Sequence, residues 1–199
     1  MDCIDRIRTR SLRVDLLKML DRDEQFRQAV LIARKNSGDG IWLIGGSVFR
    51  RLAHLLYGTP MPDEVDFDFL VGWLYSDLNI PSDWKPEFNA FGNPKLIKDG
   101  VKVDLCPLAR VHSIVRRQLE PTIENWMTGT PLNIQSVMLD CNTGELKGDI
   151  GLNAIFAKVV AVNDPIQAEV YAGRKKKTVE RIICEKAAEL NFSFVLRDK

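Results

Sequence analysis

The chain has 199 residues, 45% of them hydrophobic and 28% charged, with a formal charge of +1 at neutral pH. These values describe an ordinary globular protein and exclude a disordered or fibrous chain and one carrying a global basic field for nucleic acid. No apolar run approaches the roughly 20 residues that span a bilayer, the N-terminus offers no signal-like stretch, and Cys3, Cys106, Cys141 and Cys184 lack the paired spacing of a zinc site. The expectation is a cytoplasmic protein with reduced thiols and no membrane partner.

From residue 12 to about 35, Leu12, Leu16, Leu17, Met19, Leu20, Phe26, Ala29, Val30, Ile32 and Ala33 recur mostly at helical spacing and predict one or two opening helices. Asn36-Ser37-Gly38-Asp39-Gly40 reads as a turn leading into a short buried strand, Ile41-Trp42-Leu43-Ile44. Gly45-Gly46 breaks that strand. Ser47 then caps a helix with Val48, Leu52, Leu55 and Leu56 on its inner face, ending near Tyr57-Gly58. In Val65-Asp66-Phe67-Asp68-Phe69-Leu70-Val71 apolar and acidic residues alternate, which places Asp66 and Asp68 on one face of a strand.

Residues 72–93 lack periodicity and predict a long loop, with room for a strand near its end. Lys98-Asp99-Gly100 is a hairpin turn between strands at 94–97 and 101–105, which puts Asp104 on a strand beside the acidic pair. A helix at 109–119 follows, then a strand at 134–139 that returns at 145–147, a short helix at 152–156 and a strand at 159–162. An amphipathic helix from about 176 to 190 carries Val179, Ile182, Ile183, Ala187 and Leu190 on its apolar side. The basic run Arg174-Lys175-Lys176-Lys177 is expected to open that helix against its dipole, a mismatch that a nearby anion would relieve.

The carboxylates carry the chemical signal. Magnesium prefers carboxylate and phosphate oxygens, and two aspartates at alternate strand positions can hold two such ions, one activating a hydroxyl and one steadying departing pyrophosphate. Asp66 and Asp68 meet that requirement, with Asp104 as a third acid. A diglycine between strand and helix lets backbone amides approach a polyphosphate, which points to Gly45 and Gly46. Ser47 can add a hydroxyl donor. Helical spacing lets only one of Arg50 and Arg51 face the same site, and Arg50 is the choice. Taken alone, a DxD pair is more often a solvated surface; the order strand, Gly-Gly-Ser, helix, Gly58, DxD strand and Asp104 strand raises the joint signal.

Ile44-Gly45-Gly46-Ser47-Val48, Leu55-Leu56-Tyr57-Gly58 and Val65-Asp66-Phe67-Asp68 resemble the head-domain signature of the polymerase-β-like nucleotidyltransferases, especially class II CCA-adding enzymes and bacterial poly(A) polymerases. Asn133-Ile134-Gln135-Ser136 through Asp140-Cys141-Asn142-Thr143-Gly144-Glu145-Leu146 is similar to the family's second block. Val162-Asn163-Asp164-Pro165 and Ala187-Ala188-Glu189-Leu190-Asn191-Phe192 resemble the approach to its neck and the first neck helix.

The resemblance implies an α+β nucleotidyltransferase fold: a mixed, mostly antiparallel sheet of about five strands flanked by helices, with a truncated neck helix at the C-terminus. It divides the chain into N-terminal helices at 1–40, a head domain at 41–165 and a neck-like segment at 166–199. It further implies metal-dependent transfer of a nucleoside monophosphate from an NTP to a hydroxyl on RNA, protein or a small molecule. Asp66, Asp68 and Asp104 would be catalytic and hold magnesium or manganese; Gly45, Gly46, Ser47, Arg50 and Arg181 would contact the nucleotide.

Three departures stand beside this likeness. Val48-Phe49-Arg50 replaces the family's Val-Arg-Asp, Gly129-Thr130-Pro131 stands in place of Arg-Arg-Asp, and in Lys177-Thr178-Val179-Glu180-Arg181 only the arginine of the base-reading Glu-Asp-x-x-Arg remains. The helical body that would grip a tRNA elbow is not expected. The alternative is therefore a catalytically reduced domain that binds nucleotide or a partner without turnover. His54 and His112 read as surface or packing residues, Trp42 as core, and Trp73 and Trp84 as the plausible stacking contacts.

Overall fold

The computed structural model describes residues 3–62 and 66–196, with side chains from residue 7 onward. Val65, the head of the expected acidic strand, and the side chain of Cys3 lie outside the described residues. The opening pattern resolves into two helices, α1 (Cys3–Arg22) and α2 (Glu24–Asn36). Asp23 separates them because its carboxylate accepts the Phe26 amide at 3.1 Å as an N-cap.

Strand β1 (Ser37–Ile44) begins immediately, so the expected turn at 36–40 is instead an irregularity within the strand. Asp39 and Gly40 have positive φ, and the pairing of β1 with β2 (Asp66–Leu74) shifts between Gly38 and Ile41. The bulge lets both strands run on, which is why β2 continues to Leu74 into the expected loop. Between them α3 (Gly46–Tyr57) ends at Gly58 in the left-handed region, with φ at 67°.

The hairpin expected around Lys98-Asp99-Gly100 is present as β4 (Pro94–Lys98) and β5 (Val101–Pro107), and β3 (Lys85–Phe88) adds outside β4. The expected helix at 109–119 is a 3-10 turn at Leu108–Arg110, then the short α4 (His112–Arg117). Helix α5 (Ile123–Met127) follows. The expected strand at 134–139 starts as a 3-10 turn, Asn133–Gln135, and only β6 (Met138–Asp140) is extended, pairing with β7 (Leu146–Lys147).

Helix α6 (Asp149–Ala157) and β8 (Val159–Val160) precede α7 (Pro165–Arg174), α8 (Val179–Leu190) and β9 (Ser193–Phe194). The sheet order is β3-β4-β5-β2-β1-β6-β7; β2 and β5 run parallel, and every other pairing in that sheet is antiparallel. The sheet is thus mixed and mostly antiparallel, as expected, with seven strands because short β3 and β7 extend both edges.

Phe67, Phe69 and Val71 are buried on one face of β2, in a core shared with Leu16 and Leu20 of α1, Val48 and Leu52 of α3, and Ile183 and Leu190 of α8. Leu70 points to the other face and joins a smaller cluster with Leu108, Ile114, Trp126 and Met138. Asp66 and Asp68 share the Leu70 face by strand alternation. Among the described residues no helix is long and apolar enough to cross a membrane.

Candidate active site

A cleft of about 540 Å³ opens on that second face, a size usual for a small-molecule site. Its floor comes from β2 and β5, where the parallel register sets Asp68 beside Asp104 and Asp66 beside Lys102. Opposite lies the β1–α3 turn: Ile44 pairs with Asp68, and a Cβ on Gly45 would meet Asp68 Oδ2 at 2.7 Å. Gly45 has φ 69° and ψ −149°, a conformation essentially reserved for glycine. Diglycine and acids therefore meet at one place.

Three neighbouring carboxylates in a half-buried site repel one another. Burial first, then the charges of Asp104 and Asp66, push Asp68 up from 3.8 to about 7. Asp104 is steadied by Asn89 Nδ2 at 3.0 Å and Lys95 Nζ at 3.6 Å, and Asp66 by Lys102 Nζ at 3.6 Å. The Asp68 carboxylate accepts no hydrogen bond and joins no ion pair among the described residues. Opposing charge reaches it from the more distant Lys95 and Arg50.

This donor set fits a hard divalent cation in chemistry. Among the described residues no three acidic, histidine or cysteine side chains cage an ion by themselves, but magnesium is normally held by one or two carboxylates completed by substrate phosphates and water. Behind the acids, burial foremost and then Asp68 and Asp104 push the Cys106 thiol up to about 12, so it is no thiolate nucleophile at neutral pH.

The other expected contacts separate. Arg50 lines the cleft, whereas Arg51 turns into the protein and donates to Ser47 O at 3.0 Å and to Asp23 Oδ2 at 2.8 Å. Ser47 is buried and gives its hydroxyl to the Asp66 carbonyl, pinning α3 to β2; it neither caps the helix nor lines the cleft. Arg181 is exposed on α8, paired with Glu185 at 3.0 Å, and does not line the cleft.

The tryptophans also differ from expectation. Trp84 is 6% exposed within the core, and Trp73 lies at the far end of β2 over Gly38, with its indole donating to Asp39 at 3.1 Å. Trp126 lines the cleft instead.

Several cleft residues were not among the site residues expected from sequence. Helix α7 brings Gln167, Tyr171 and Arg174; His112 Nδ1 meets Gln167 Oε1 at 2.9 Å, and Arg174 stacks on Phe91 at 4.6 Å. The readable signal for α7 was Asp164-Pro165, an N-cap whose carboxylate takes the Gln167 amide at 3.0 Å and a proline at the first turn. The basic run closes α7 rather than opening α8, which Thr178 caps, so Arg174 and Lys175 complement the α7 dipole.

No family profile and no curated protein matches the chain, but its fold matches solved structures. A CCA-adding enzyme in complex with ATP matches at TM-score 0.58 and 16% identity, over 92% of this chain and 41% of that one. The CCA-adding enzyme of Bacillus stearothermophilus in complex with CTP gives 0.53 and 16%, over 87% and 41%. A tRNA-processing enzyme in an apo form gives 0.52 and 18%, over 85% and 42%. The chain has the nucleotidyltransferase fold and spans about 40% of the length of these proteins.

Proposed function

We propose that this chain transfers a nucleoside monophosphate from an NTP to a hydroxyl acceptor, with divalent cations held by Asp66 and Asp68 and supported by Asp104. The observation that carries the reading is the Asp68 carboxylate, without a hydrogen-bond or ion-pair partner among the described residues, set between two other acids and facing Gly45. Such a cluster is costly without a cation. Bound there, magnesium would neutralise the triphosphate and activate the acceptor hydroxyl.

The protein's own groups do the positioning. Gly45 and Gly46 let Asp68 and the Arg50 guanidinium close onto the strand-to-helix turn, Arg50 brings positive charge to the same end of the cleft, and Lys95 and Asn89 hold Asp104. The acceptor, whether an RNA 3′ end, a protein or a small molecule, is identified by incubation with each radiolabelled NTP, magnesium and cellular RNA or protein. Label should enter one fraction with release of pyrophosphate. Asp66→Asn combined with Asp68→Asn should abolish both with the circular dichroism spectrum unchanged; transfer persisting in that variant overturns the assignment.

Two features favour a second reading, a domain that binds nucleotide without turnover. Lys95 and Lys102 already pair with two of the three acids, and Arg181 stands away from the cleft. Stabilisation by magnesium and NTP fits both readings, whereas pyrophosphate release fits only the enzyme.

A further inference from the structure

Cations from three helical segments gather on one wall of the cleft. Arg50 of α3 and Lys186 of α8 both lie over the buried ring of Phe49, with the guanidinium carbon at 5.5 Å and the ammonium at 5.8 Å from its centroid. Lys175, at the end of α7, lines the same wall. Burial first, then the charges of Arg50 and Lys175, lower the Lys186 pKa. Like charges collected on an apolar ring repel unless an anion sits among them.

The anion present is Glu189, one turn beyond Lys186 on α8. One carboxylate oxygen meets Arg50 Nε and the other meets Lys186 Nζ at 2.5 Å. Two cations thus hold one carboxylate, and Lys175 adds its charge to Lys186, which leaves the wall positive. A terminal phosphate offers more charge and three oxygens for the same bridging geometry.

The wall also joins the acidic floor. The Arg50 guanidinium fills the space a Gly46 Cβ would take, and Arg50 is among the charges felt by Asp68. Lys177 and Arg181 are engaged elsewhere, pairing with Glu185 at 2.5 and 3.0 Å.

We propose that Arg50, Lys186 and Lys175 form the seat for the terminal phosphates of the triphosphate, and that Glu189 is an internal counter-ion which the triphosphate displaces. This rests on the reading that a triphosphate enters the cleft. Lys186 returns from α8 a positive charge to Phe49, the position where the resemblance places an arginine. Because Glu189 competes with the ligand for the same cations, its loss strengthens binding: a site occupied from within shows an affinity reduced by the fraction of time it stands open.

The test is calorimetric titration of inorganic tripolyphosphate, without metal, into the wild type, Glu189→Gln and Lys186→Gln. Glu189→Gln should bind on the order of tenfold tighter and Lys186→Gln at least several-fold weaker. A purely structural Glu189 would give the opposite sign or no change. If Lys186→Gln fails to fold, exposed Lys175→Gln carries the same expectation. Equal or weaker binding by Glu189→Gln, unchanged binding by the lysine variants, or no binding by the wild type overturns the proposal. Failure of the enzymatic reading is distinguishable: the titration would keep these signs while no NTP released pyrophosphate. Conversely, Asp68-dependent transfer with tripolyphosphate binding indifferent to Glu189 and Lys186 would sink the seat alone.

Discussion

The Cβ that Gly45 lacks would lie 2.7 Å from Oδ2 of Asp68. The diglycine therefore does more than leave room for a ligand, because it lets the central carboxylate stand against the chain where strand becomes helix. Gly45→Ala would drive a methyl group into that oxygen and force alanine into a glycine-only conformation, costing about 1–3 kcal/mol of stability. A displacement of about 1 Å at the acids is expected to cut nucleotidyl transfer roughly a hundredfold. Thermal melting and single-turnover transfer of the same variant check both effects.

Asp68 also sets a pH dependence. Its folded pKa of about 7 stands above its ordinary 3.8, so the folded state holds the proton more tightly than the unfolded state. The resulting stability is fully present below pH 3.8 and is lost as pH rises through 7, amounting to roughly 4 kcal/mol by linkage. Without divalent cation, Asp68→Asn should therefore be more stable than the wild type at pH 8, and the advantage should shrink toward pH 4. Cation binding requires the ionised acid, so wild-type manganese affinity should fall about tenfold per pH unit below 7. Chemical denaturation across pH, with and without manganese, measures both.

Two adjacent arginines should behave oppositely. Arg51 is 6% exposed and bound to Asp23 and the Ser47 carbonyl, so Arg51→Ala removes a buried guanidinium from the half-buried Asp23 and should cost about 1–3 kcal/mol. Arg50 lies in the cleft. Arg50→Ala should leave the melting temperature within a few degrees of wild type and raise the KM for NTP by about tenfold or more.

Asn89 ties a turn to the floor. Its amide donates to Asp104 at 3.0 Å while its carbonyl oxygen accepts from the amides of Phe91 and Asn93 at 2.9 and 3.1 Å. Asn89→Ala releases the turn and Asp104 together. Transfer should drop about tenfold with a stability loss of about 1–2 kcal/mol, whereas Arg181→Ala, on an exposed pair, should change neither by more than about 0.5 kcal/mol equivalent. Parallel kinetics and melting curves of the two variants check this.

The centre of the sheet was legible because Phe67 and Phe69 had to be buried, which forces Asp66 and Asp68 to the opposite face. Asp104 followed from the hairpin at Asp99-Gly100. The bulge at Asp39-Gly40 was not legible, since the same residues signal a turn. Helix α7 carried its signal at Asp164-Pro165, but that segment resembled an approach to a neck. Placing the basic run on α8 then reversed its relation to the dipole. Lys95, His112 and Lys186 reach the cleft from separate elements. Only tertiary packing, with no local pattern, brings them together.

The most direct measurement is manganese binding followed by electron paramagnetic resonance, with a non-hydrolysable NTP present, in the wild type and in Asp66→Asn/Asp68→Asn. Metal binding by Asp66 and Asp68 requires manganese bound by the wild type and strengthened by the nucleotide, with both effects lost in the double variant while its fold persists. Equal manganese binding by the two proteins would contradict it.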